Sequence, residues 1–201
     1  MLPLSQTATT TTLLDGLKDE SASSIWDEFD RRYRAIVYGF ARRLGLDEPD
    51  AADVAQETLM RFVRDYRAGR YNRGQGRLRA WLIGIARYRV ADVRRERARY
   101  PVARGESAMG DVPDDSQAEQ LWDAEQRRFI FDQALAELRA TTRLSERTLE
   151  AFERVVLRQE PVTDVAAALG VSPQEIYDAK SRIVGKLKDV LAKYQALFDA
   201  D

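Results

Sequence analysis

The sequence predicts an all-α protein: two small helical domains joined by an acidic flexible linker, the second containing a helix-turn-helix. Three observations carry this. Apolar residues recur at helical spacing almost throughout the 201 residues, and no stretch shows strict alternation. Residues 101–117 contain Pro101, Pro113, two glycines and the run Asp111 to Ser116, and between Gly105 and Gln126 there are seven acidic residues and no basic one. Such an acidic, turn-rich stretch is the best domain boundary in the chain. Beyond it, Ser172-Pro173-Gln174-Glu175 reads as a complete helix start directly after Gly170. The expected organisation is a disordered tail over 1–20, a helical domain over 21–100, a linker over 101–117 and a second helical domain over 118–201.

Each element has its own local cause. A helix is predicted over about 24–44, with Trp26, Phe29, Tyr33, Ile36, Val37 and Phe40 on one stripe and Gly45 ending it. Asp47 caps the next helix and Pro49 sits in its first turn, with Ala55, Leu59, Phe62, Val63 and Tyr66 on the apolar side. Three glycines between Gly69 and Gly76 make that stretch a loop. A third helix runs over about 77–99, with Leu78, Trp81, Leu82, Ile85, Ala86 and Val93 inward; Trp81 at this spacing reads as core rather than as a base platform. Helical spacing resumes near Ala118 and continues through Leu157. Thr163 can cap a short helix that Gly170 ends, and Ser172 then opens the last one.

Composition excludes whole classes of chemistry. With no cysteine and no histidine there are no disulfides, thiolate nucleophiles, Cys/His zinc sites or histidine bases. No apolar run approaches membrane-spanning length, so no membrane insertion is expected, and a cytoplasmic location is compatible with the cysteine count. The net charge of −1 argues at first sight against a nucleic-acid partner. Divided along the chain, it says the opposite. Residues 61–104 carry 14 basic side chains, all arginine, against 3 acidic ones. Arginine suits bidentate phosphate contact and stacking, and a local +11 is the footprint of a nucleic-acid surface, with Tyr66, Tyr71, Trp81, Tyr88 and Tyr100 interleaved.

Two further constellations matter. In the C-terminal part, Ala166, Gly170 and Ile176 have the spacing of a helix-turn-helix: a small residue for close approach, glycine for the turn, a branched side chain to lock the second helix. Its second helix would present Ser172, Gln174, Tyr177, Asp178 and Ser181 near base edges and Lys180, Arg182, Lys186 and Lys188 to phosphates. Residues 144–201 nevertheless carry 8 basic against 10 acidic side chains, so this domain is expected to bind DNA only when tethered to something else. In the N-terminal part, Asp50, Asp53 and Glu57 share one helix face with Gln56 beside them. That set is open to two readings, a solvated acidic face or a contact surface.

The string from Asp50 through Asp53, Gln56 and Glu57 to Phe62 resembles the core-polymerase-binding helix of bacterial sigma factors. Arg77 to Arg87, followed by Asp92-Val-Arg-Arg95, resembles the promoter-reading helix of the same sigma-70 family, and the helix-turn-helix falls where the family's fourth domain stands. The chain is most similar to the two-domain extracytoplasmic-function (ECF) class, over residues from about Ser24 to Tyr194. The resemblance implies an alternative sigma factor with no cofactor and no enzymatic role. Asp53, Gln56 and Glu57, flanked by Asp50 and Arg61, would meet a basic coiled coil on the largest polymerase subunit, with the second-largest subunit as a further partner. An unpaired minus-ten base would enter a pocket near Tyr71 and Asn72. Arg73, Arg77, Arg79, Arg87, Arg94 and Arg95 would neutralise phosphates, and Tyr88 would stack on a base. The last helix would hold the duplex minus-thirty-five element. Tyr88 stands where the family often has asparagine, and Tyr177-Asp178 follow Ile176 where a basic residue is common. An anti-sigma factor is left open as a further partner.

Two other readings compete: a stand-alone helix-turn-helix regulator of duplex operators, and a helical enzyme whose Asp50, Asp53 and Glu57 hold a metal. The −2 charge of residues 144–201 weighs against the first, and the lack of a phosphate-binding glycine loop or nucleophile–base pair against the second.

Overall fold

The structure, a computed structural model, describes residues 10–19, 23–71, 77–99, 114–141 and 145–198. Among the described residues there are eight α-helices, one π-helical turn and no strand, as the hydrophobic spacing predicts. They form two compact units. One runs to Phe129 and includes Leu197 and Phe198; the other is Ile130–Ala196.

The first unit is built on α2 (Ser23–Arg43), α3 (Glu48–Arg67) and α4 (Leu78–Arg99), each packed on the other two. The α2 stripe of Phe29, Tyr33, Ile36, Val37 and Phe40 is buried, facing Ala51, Val54, Ala55, Leu59 and Phe62 of α3 and Leu78, Leu82, Ala86 and Val90 of α4. Gly45 adopts φ 88°, a left-handed conformation that glycine reaches without a Cβ penalty, and its amide donates to the Arg42 carbonyl at 2.9 Å. Two residues later, the Asp47 carboxylate accepts from the Asp50 amide and caps α3.

Two sequence expectations are corrected at the edges of this unit. The 1–20 tail contains a helix, α1 (Thr10–Gly16), with Leu13, Leu14 and Leu17 buried; residues 1–9 and 20 lie outside the described residues. The threonine run masks a short apolar set whose partners are distant in sequence. Thr10 Oγ1 donates to the Leu197 carbonyl at 2.8 Å, and the fully buried Arg32 reaches the same carbonyl while pairing with Glu28. The second correction concerns α5 (Asp115–Thr141), which begins inside the expected linker, with the Asp114 carboxylate accepting from the Gln117 amide at 2.8 Å. Of the 101–117 stretch, 101–113 lie outside the described residues, as does 72–76 of the glycine loop.

The second unit holds the rest of α5, α6 (Glu146–Phe152), a π turn (Glu153–Leu157), α7 (Val162–Leu169) and α8 (Pro173–Ala196). Its centre is Ala151, Val165, Ala166 and Ile176, with Val155, Val162, Leu169 and Val171 against them. Thr163 does not cap α7. Pro161 occupies that position, two residues earlier than expected, and the Thr163 hydroxyl turns to Asp164. Gly170, at φ 61°, closes α7 with its amide on the Ala166 and Ala167 carbonyls.

Candidate nucleic-acid interface

α3 separates an apolar face from an exposed one. Asp53, Gln56, Glu57, Met60 and Arg61 lie on the open side, and the Gln56 amide rests 3.9 Å from the Met60 sulfur. Asp50, at the buried edge, is ion-paired with Arg97, which also holds Asp47 at 2.6 Å. Glu57 pairs with Arg89, and Arg61 with Asp65 at 3.1 Å. The five expected contact residues therefore lie along α3 from Asp50 to Arg61, and of them Asp53 and Gln56 form no ion pair among the described residues. Asp50 and Glu57 turn to different arginines, and among the described residues no group of acidic side chains is arranged to hold a metal.

The expected minus-ten residues separate into three groups. Tyr71, expected near a base-holding pocket, sits among core aromatic side chains. It is buried, edge-on to Phe62 and to Trp81 with ring centroids 5.6 Å away, and Phe29 and Tyr66 stack on Phe62. Beside Phe62, Tyr66 and Trp81, such an aromatic side chain is stabilised by burial. Trp81 is half-buried against this cluster, and its enclosed indole N–H has no hydrogen-bond partner among the described residues. Asn72 and Arg73 lie outside the described residues.

The arginines of α4 form the second group, and most are engaged. Arg79 pairs with Asp123 and donates to the Glu119 carbonyl at 3.2 Å; Arg87 pairs with Asp115. Arg94 donates to the Leu44 carbonyl, and Arg95 to Asp92 at 2.7 Å. Arg77, just before α4, is exposed with no ion pair among the described residues. Tyr88 makes the third group alone: it is 59% exposed, and the Arg95 guanidinium lies 5.9 Å from its ring centroid. An exposed ring of this kind leaves a face on which a base can stack.

On α8 the start is as the sequence spelled it. The Ser172 amide and hydroxyl donate to Glu175, and the Glu175 amide donates back to Ser172 Oγ at 3.2 Å. The Ser172 amide, and then its hydroxyl, hold the Glu175 carboxyl below the usual carboxylate range. Ile176 and Ile183 are buried, while Ser172, Gln174, Tyr177, Asp178, Lys180, Ser181, Arg182 and Lys186 are all exposed. Gln174 donates to Asp178 at 3.0 Å, and Lys180, Lys186 and Lys188 form no ion pair among the described residues. The sequence missed the partners of α4: Asp115, Glu119 and Asp123, whose i, i+4, i+8 spacing was the available signal.

Residues 29–100 match the family described as Sigma-70 region 2. The chain is 29% identical over 192 residues to the ECF RNA polymerase sigma factor SigE of Mycolicibacterium smegmatis, covering 94% of this chain and 70% of that protein. It is 31% identical over 161 residues to the ECF RNA polymerase sigma factor SigL of Mycobacterium tuberculosis, covering 80% of this chain and 81% of the relative.

Proposed function

The chain belongs to the ECF RNA polymerase sigma factors of the sigma-70 family, and from that premise we propose how its residues divide the work of initiation. It acts as an alternative sigma factor with core RNA polymerase and promoter DNA. The exposed face of α3, with Asp53, Gln56 and Glu57 flanked by Asp50 and Arg61, docks on a basic coiled coil of the largest polymerase subunit. What supports this most is that α3 keeps Asp53, Gln56 and Glu57 open to solvent on one face inside the matched span 29–100.

Beside it, Arg77, Arg79, Arg87, Arg94 and Arg95 take phosphates of the melted minus-ten strand, and Tyr88 stacks on a base. Tyr71 and Trp81 support that surface from beneath rather than contact DNA. Strand opening then needs no reacting side chain: base pairing is exchanged for stacking and phosphate contacts, which fits an initiation factor rather than an enzyme. α8 lays Gln174, Tyr177, Asp178 and Ser181, beginning from Ser172, against the duplex minus-thirty-five element, with Lys180, Arg182 and Lys186 on phosphates. The protein works where polymerase does, in the cytoplasm; among the described residues no helix is long and apolar enough to cross a membrane.

The test is initiation itself. Purified chain added to core polymerase, followed by sequencing of the bound DNA and run-off transcription, is expected to yield a defined set of promoters. Random DNA recovery, with no start sites above core polymerase alone, contradicts the reading.

A further inference from the structure

The first half of α5 carries a row of carboxylates at Asp115, Glu119 and Asp123, one turn apart and so about 6 Å from each other along the axis. This row lies on α4. Asp123 pairs with Arg79, the Glu119 carboxylate is 3.9 Å from the same guanidinium, and Asp115 pairs with Arg87. These two arginines are among the five assigned above to the minus-ten strand.

The seat is built rather than casual. Trp122 is fully buried on Phe40 of α2, ring centroids 5.9 Å apart. Glu125, 5% exposed, pairs with Arg43 and lies in a notch that Gly39 leaves in α2; a Cβ on Gly39 would collide with the Glu125 carboxylate. A tryptophan and a carboxylate thus fix the register at which the outer acids meet Arg79 and Arg87.

We propose that the first half of α5 competes in cis with the minus-ten strand: in the free protein its carboxylates occupy Arg79 and Arg87, and DNA reaches them only when α5 yields. The inference rests on the assignment of those arginines to DNA. It explains why a chain with a local +11 should bind DNA poorly on its own, since phosphate and carboxylate compete for the same guanidinium forks.

The test measures binding of fluorescein-labelled oligo(dT), a sequence-neutral single strand, to the full-length free protein across a salt series. D115N/E119Q/D123N is expected to bind about tenfold tighter than wild type, with a log–log salt slope steeper by about 1.4, the increment for two more phosphates. A control with the same charge change on exposed acids elsewhere, D15N/D27N/E48Q, is expected to stay within about twofold. Gly39→Leu alters no charge, evicts Glu125 and is expected to shift affinity in the same direction as the triple variant. Adding R79A/R87A to the triple variant should erase the gain.

A control that gains as much as the triple variant overturns the proposal, as does a gain that survives R79A/R87A. The underlying assignment is read separately, from R79A/R87A in reconstituted holoenzyme on the same oligonucleotide. Unchanged holoenzyme binding means the arginines do not serve DNA. Weakened holoenzyme binding with no gain in the free triple variant means that they do, and that α5 does not compete.

Discussion

α4 and α8 both carry a row of cations, and they hold them differently. Of the seven arginines on α4, Arg79, Arg87, Arg89, Arg94, Arg95 and Arg97 each donate to a carboxylate or a carbonyl of the same unit. On α8, Lys180, Lys186 and Lys188 face solvent without an ion pair among the described residues, and Arg182 meets only the Asp178 carbonyl. The helix with the larger formal charge therefore offers less of it. On the proposed reading, α4 would meet DNA by exchanging partners and α8 by releasing counterions, so charge counted along a sequence is not charge available to a ligand.

The largest expected effect removes the difference between the helices. Trp122→Ala deletes the side chain that seats α5, and is expected to cost about 3–5 kcal/mol of unfolding free energy in urea titration. It should also leave Arg79 and Arg87 as open as the lysines of α8. A loss under about 1 kcal/mol in that titration would mean that α5 is not held there.

Next comes the salt dependence of holoenzyme binding to duplex promoter DNA. K180A/K186A is expected to lower the log–log slope by about 1.8, because each lysine meets phosphate with no protein pair to replace. An unchanged slope would show that α8 does not carry the duplex contact. A smaller effect separates the helices in stability. Arg97→Ala breaks pairs with both Asp47 and Asp50 and is expected to cost about 1 kcal/mol, against under about 0.5 kcal/mol for Lys188→Ala, compared by thermal unfolding.

The smallest effect is local and acid-dependent. Glu175 has a folded pKa below its ordinary value, so it supports the start of α8 above the ordinary carboxylate range, and that support disappears as pH falls through the depressed pKa. Amide exchange at Glu175 and Ile176 should therefore rise, relative to the rest of α8, only below about pH 4, and Glu175→Ala should abolish that step.

Local chemistry was largely legible in the sequence where its causes are local, the Thr163 cap aside. Asp47, Gly45, Gly170 and the Ser172–Glu175 box mark helix ends because capping uses residues within four positions of one another. The face of α3 was legible for a similar reason, since helical spacing alone puts Asp53, Gln56 and Glu57 opposite Leu59 and Phe62. Features that depend on distant partners were not. Tyr71 reads as a loop residue until Phe62 and Trp81 close on it, and the partners of Arg79 and Arg87 lie 44 and 28 residues away. α1 is stabilised by contacts across almost the whole chain, Thr10 to Leu197, which no window of sequence can register.

The most direct measurement is co-fractionation of the full chain with core RNA polymerase at moderate salt, wild type beside D53R/E57R. Both positions are exposed, and E57R gives up only the surface pair with Arg89, so the variant should keep wild-type helicity and lose at most about 1 kcal/mol of stability. Wild type is expected to elute with polymerase, and the variant to elute free. A wild-type chain that elutes apart from polymerase, or a charge-reversed chain that stays bound, would contradict the assignment of α3 as the docking face.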